Sequence, residues 1–148
     1  MVSIIVSGHG SYSLGLLDAF EMIFGQSNQV QAIPFFKGEG LPQMQAKFEK
    51  VLAEIPDDQA VLFLVDVFGG TPYNAAAQVI YTRPNSDILS GCNLPMLLEG
   101  AALQSTLDLA ELTKQLELTA IQSHKSFREE MAKQSEFIQE SDEGDDLL

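Results

Sequence analysis

With 148 residues, the chain is long enough for one domain that buries about 70 per cent of its unfolded surface, so no disulfide framework is required. Its 21 acidic side chains against 8 basic ones leave a net charge of −13, which argues against phosphate-backbone binding as its main business, because that needs a basic face. The single cysteine, Cys92, can neither pair internally nor build a zinc site alone. The apolar run over residues 1–6 is too short to span a membrane, and with no signal peptide the sequence reads as cytoplasmic.

Residues 2–6 are rich in β-branched side chains and apolar nearly throughout, the pattern of a strand buried on both faces. Leu16, Leu17, Phe20, Ile23 and Phe24 then fall at helical spacing. Ser13 is placed as the N-cap and Gly25 as the stop, so residues 8–12 form a strand-to-helix turn. Residues 30–36 are a second candidate strand, and 40–55 a second helix, with Leu41, Met44, Phe48, Val51, Leu52 and Ile55 in phase and Pro56 and Asp57 ending it.

Residues 60–67, "AVLFLVDV", are the most strongly apolar strand, closed by Asp66. Gly69 and Gly70 turn the chain into "TPYNAAAQVIY", with Thr71 as N-cap and Pro72 at the first helical position. A short fourth strand over 87–90, a short helix in "NLPMLLEGAALQ", and one or two longer helices over 107–134 complete the domain, which spans 1–135. The remaining 136–148 ends in "ESDEGDDLL", five carboxylates in nine residues, and reads as a solvated, disordered tail.

Four alternations of strand and helix predict an α/β domain with a mainly parallel sheet and right-handed crossovers. Ligands of such sheets sit beyond the carboxyl ends of the strands, where strand order reverses. His9 and Asp66 each lie at such an end.

Several chemistries fit "GHGSYSLG" to different degrees. Gly8, Gly10 and Ser13 match a dinucleotide fingerprint loosely, but the second strand lacks the acid that would hold a ribose. Asp66 is placed as the phosphorylated aspartate of a receiver would be, yet the acidic cluster that would hold its Mg²⁺ is replaced by Gly8, His9 and Gly10. A hydrolase in which His9 and Asp66 serve Ser11 or Ser13 lacks a Gly-x-Ser-x-Gly elbow. The constructive reading makes His9 a nucleophile toward phosphorus. Imidazole titrates near neutrality, a carboxylate on its other nitrogen would fix the tautomer, and a helix N-terminus would cradle the anion. Asp66 is the natural orienter, while Gly10, Ser11, Gly69, Gly70 and Thr71 surround the phosphoryl group, and no metal or cofactor is needed. His124, beside Lys125 and Arg128, reads as part of a solvated helix face, Cys92 as a small buried residue, and Tyr12, Phe68 and Tyr73 as packing at the border of the site.

"IIVSGHGSYSLGLLDAFEMIFG", "VLFLVDVFGGTPYNAA" and "SGCNLPMLLE", in this order, resemble the enzyme IIA components of the mannose, fructose and sorbose family of the sugar phosphotransferase system, over roughly the first 120 residues. The resemblance implies a doubly wound sheet of about four strands, in order 2-1-3-4, with helices on both faces. It implies a homodimer that exchanges a C-terminal element, although "IQSHKSFREEMAKQ" is polar and helical rather than strand-like. It also implies a phosphotransferase working through a phosphohistidine: His9 accepts a phosphoryl group from the histidine phosphocarrier protein HPr and passes it to a IIB component, which serves membrane IIC and IID components. By motif, His9 matches the phosphorylated residue, Asp66 the carboxylate that holds its ring, and Thr71 the small hydroxyl residue beside the phosphoryl group. Family members are often fused to IIB through a linker, so here IIB is expected as a separate protein. A regulatory relative that does not feed transport fits the same motifs, and the sugar itself is not legible.

Overall fold

The computed structural model describes residues 1–146; residues 147 and 148, the end of the acidic tail expected over 136–148, lie outside the described residues. Strands β1 (Val2–His9), β2 (Val30–Phe35), β3 (Ala60–Val65) and β4 (Ser86–Leu89) alternate with helices α1 (Tyr12–Phe24), α2 (Leu41–Leu52) and α3 (Thr71–Ile80). Helices α4 (Leu94–Leu103), α5 (Leu109–Gln122) and α6 (Phe127–Asp146) follow. All strand pairs are parallel, in the order β2-β1-β3-β4.

The central strands explain the uninterrupted apolar runs in the sequence: β3 is buried at all six positions and β1 at its first seven. Alternation of side chains across the sheet divides the core in two. Val2, Ile4, Val6, Leu62 and Leu64 pack with Phe20 of α1, Leu97 of α4, and Leu112 and Leu116 of α5. Ile5, Val61, Phe63 and Val65 face the other way, onto Met44 and Phe48 of α2 and Ala75 and Ala76 of α3. The sheet is therefore doubly wound, and strand order reverses between β1 and β3.

The helix starts differ from those expected. Gly10 adopts φ +60 and turns the chain so sharply that α1 begins at Tyr12, with Ser11 rather than Ser13 in the N-cap position. Ser13 is fully buried inside the first turn, its hydroxyl without a hydrogen-bond partner. Gly70, in extended conformation, is the N-cap of α3, which makes Thr71 the first helical residue.

The C-terminal part divides into two helices. Asp108 and Glu111 form a reciprocal capping box that starts α5, and the chain leaves helical geometry over residues 123–126 before α6 begins. His124 thus sits in an exposed connector, not on a helix face. Helix α6 continues to Asp146, through residues read from the sequence as a frayed end. Glu129 and Glu130 complement its N-terminus, and neither glycine nor proline interrupts it before Gly144. Phe127, Met131, Phe137 and Ile138 are exposed along it, and none joins either core cluster.

Candidate active site

The parallel register sets the site. Ser7 pairs with Val65, and His9 pairs with Phe35 on the other side, so the ends of the three strands bring His9, Asp66 and Phe35 together although 57 residues separate the first two in sequence. This is the reversal point of the sheet, where a doubly wound fold opens a crevice.

Asp66 is fastened by three donors. Its Oδ2 accepts the His9 backbone N–H at 2.8 Å and lies 2.7 Å from His9 Nδ1, while Oδ1 accepts the Val67 backbone N–H at 2.8 Å. Partial burial opposes ionisation of this carboxyl, but the hydrogen bonds from the His9 backbone, the His9 ring and Val67 outweigh it and hold the group below the usual aspartate range. An ionised carboxylate only accepts, so Nδ1 carries a proton, and in the neutral ring Nε2 keeps its lone pair. The His9 side chain is 51% exposed against 14% for Asp66. The arrangement presents a nucleophilic nitrogen to the outside and buries its orienting charge behind it.

Two turns frame the ring. Gly10 carries the first, and its N–H donates to the Phe35 carbonyl at 2.7 Å, tying the end of β2 to the turn. Gly69, at φ +79, carries the second, and the Asn74 side chain donates to its carbonyl at 3.0 Å. In the first turn of α3, the N–H groups of Thr71 and Tyr73 have no intrahelical acceptor, and Pro72 has none to satisfy. Gly10 and Ser11 lie in the turn after His9, while Gly69 and Gly70 form the turn that leads into Thr71, the first residue of α3.

Further contacts complete the surroundings of the pair. The Phe35 ring meets the His9 ring edge to face, centroids 5.5 Å apart. Tyr12 donates its hydroxyl to the Cys92 carbonyl, which joins the start of α1 to the loop after β4; burial, with smaller effects from Cys92 and Asp66, pushes the phenol well above its ordinary range. That loop is itself fastened to the end of β3 by Gly91 N–H to Asp66 O at 3.1 Å and Cys92 N–H to Val65 O at 3.0 Å. Cys92 is buried, as expected, and its thiol is raised to about 12 mainly by that burial. Phe68 and Tyr73 pack together, centroids 4.8 Å apart, with Phe68 largely exposed. Among the described residues no group of three or more His, Cys, Asp and Glu side chains is placed to hold a metal ion, and no helix is long and apolar enough to cross a membrane.

An α/β sheet wound 2-1-3-4, with a carboxylate-held histidine at its reversal point, defines a class that comparison with known proteins makes explicit. Residues 3–117 match the family model described as "PTS system fructose IIA component". The fructose-specific EIIA component of Bacillus subtilis (strain 168) is 45% identical over 133 residues, covering 90% of this chain and 91% of that protein. The mannose-specific EIIAB component of Escherichia coli (strain K12) is 35% identical over 98 residues, 66% of this chain but 30% of that longer protein. The crystal structure of phosphotransferase system component EIIA from Streptococcus agalactiae superposes with a TM-score of 0.79 at 26% identity, covering 86% of this chain and 98% of that one. The chain belongs to the mannose-type EIIA family of the sugar phosphotransferase system.

Proposed function

We propose that this chain is a cytoplasmic phosphocarrier in which His9 is phosphorylated on Nε2 by phospho-HPr and then serves a IIB component, and through it the membrane IIC and IID components of sugar import. The single observation that carries this reading is the 2.7 Å contact between His9 Nδ1 and Asp66 Oδ2. With Nδ1 engaged, the Nε2 lone pair attacks phosphorus while the bond from phosphorus to the donor's histidine nitrogen breaks. The donor imidazole leaves with the electron pair of that bond. One nitrogen–phosphorus bond replaces another, so the transfer is close to balanced and runs onward as readily as back. Positive charge that develops on the His9 ring is offset by Asp66.

Gly10, Ser11, Gly69, Gly70 and Thr71 are proposed to bind the phosphoryl oxygens through backbone N–H groups and hydroxyls, at the first turns of α1 and α3. A serine hydrolase that uses Ser13 is disfavoured, because Ser13 is fully buried. The chain is further proposed to be a homodimer, with α6 as the exchanged element, since the apolar residues of that helix find no place in the core of their own chain.

The test is incubation with phosphoenolpyruvate, enzyme I and HPr, followed by intact mass measurement. An acid-labile gain of one phosphoryl group is expected, absent in His9→Ala; normal labelling of that variant refutes the assignment.

A further inference from the structure

Four glycines surround the His9–Asp66 pair, and they serve two different purposes. Gly10 and Gly69 have φ values of +60 and +79, with nothing within 4 Å of where a β-carbon would stand. They are there for backbone conformation. Gly70 is the opposite case: its φ of −73 and ψ of 171 suit any residue, yet a β-carbon would lie 2.8 Å from His9 Cε1, 3.2 Å from Val67 Cγ2 and 3.5 Å from His9 Nε2. The position is glycine for space, and the space is filled by the imidazole.

We propose that Gly70 and Phe35 are positioning residues that seat the His9 ring in a slot, so that its one free nitrogen faces outward in a fixed direction. Asp66 holds the ring at Nδ1, but a single hydrogen bond leaves the ring free to swing about it. The Phe35 ring bears on the imidazole edge to face, and the Phe35 carbonyl is tied to the Gly10 N–H, so this wall is anchored to the turn that carries His9. On the Cε1–Nε2 side, the ring occupies the space that a β-carbon on Gly70 would need. Asp66 therefore chooses the tautomer, and the slot chooses the orientation. Gly8 supports the same arrangement from behind, since a β-carbon there would stand 2.4 Å from Tyr12 Cδ1 and 2.9 Å from Asp66 Cγ.

The kinetic part rests on His9 being the phosphoryl acceptor; the placement of the ring does not. Gly70→Ala introduces no backbone strain and is the direct probe, with Phe35→Leu as a second variant that keeps an apolar side chain and Phe35→Tyr as the conservative one. The imidazole of the unphosphorylated proteins is followed by ¹⁵N–¹H NMR, and phosphoryl transfer from phospho-HPr by rapid quench. Gly70→Ala is expected to disperse or shift the His9 ring signals and to lower kcat by about a hundredfold, the effect of misplacing a reacting atom by about 1 Å. KM for phospho-HPr stays within about twofold of the unaltered protein. Phe35→Leu shifts the same signals less and Phe35→Tyr restores them. Unchanged ring signals and kcat in a folded Gly70→Ala protein overturn the slot, as does a loss confined to KM. If the unaltered protein takes no phosphoryl group while the ring signals respond as expected, the proposed function falls and the slot stands.

Discussion

Asp66→Asn tests the site at its most informative atom, because the two oxygens of Asp66 accept three hydrogen bonds and an amide can reproduce only part of that set. Placed with its oxygen toward His9, the asparagine keeps both His9 donors but turns its NH₂ group against the Val67 N–H. Reversed, it satisfies Val67, leaves the His9 N–H facing a donor, and invites the ring to move its proton to Nε2. The first orientation exchanges a charged acceptor for a neutral one, a loss of about 1.5 kcal/mol or roughly tenfold in rate. The second blocks the attacking nitrogen, and loss of the correct tautomer has cost about 10⁴-fold where a catalytic histidine was held by aspartate elsewhere. Single-turnover transfer from phospho-HPr is therefore expected to slow by between about ten and 10⁴-fold. Either way one backbone N–H is orphaned, so stability falls by about 1 kcal/mol, at the low end for such a loss because the site is partly wet. Transfer within about threefold of the unaltered protein, with the Nδ1 proton still in place by NMR, refutes the orienting role.

The pH dependence of stability follows from the same carboxyl. Its folded pKa lies below the ordinary value of 3.8, so its contribution is fully present above that value and is lost as pH falls through the folded one. The gap in unfolding free energy between the unaltered protein and Asp66→Asn, measured by urea denaturation, stays level from pH 7 to about 4 and narrows below; a gap that widens on acidification contradicts it. Arg83 tests the opposite end of the sheet. Its Nη2 donates to the carbonyls of Ile55, Pro56 and Gln59 at 3.5, 2.7 and 3.3 Å, closing the C-terminal end of α2. Arg83→Ala should cost about 2 kcal/mol, roughly 4–8 °C in Tm by calorimetry, and leave phosphoryl transfer unchanged. Removing residues 126–148 should convert a dimer to a monomer by light scattering, and a full-length chain that is already monomeric rules out the exchange.

The sequence carried the sheet clearly because burial leaves a direct trace: strands closed in on both faces have no polar positions to blur them, as β3 with six buried residues demonstrates. It carried His9 and Asp66 for a related reason. In a doubly wound sheet, residues just past buried strands come to one rim whatever their distance along the chain, and the register of β1 with β3 supplies the rest. Helix starts were less legible, because Ser11 and Ser13 are chemically equal candidates for an N-cap. Only the positive φ of Gly10, a three-dimensional fact, decides that the helix begins early and buries Ser13. The later part of α6, beyond residue 135, was hidden for a different reason: a run of carboxylates satisfies the composition of a solvated tail, while its helicity depends on a local pattern with no core to reinforce it. The glycines were hardest of all. Gly69 and Gly70 are adjacent and identical in the sequence, but one answers a demand of its own backbone and the other a demand of a ring 61 residues earlier in the chain. A demand made by a distant side chain leaves no mark on local pattern. The motif "GG" thus records two separate constraints, and the second becomes visible only when His9 is seen beside Gly70.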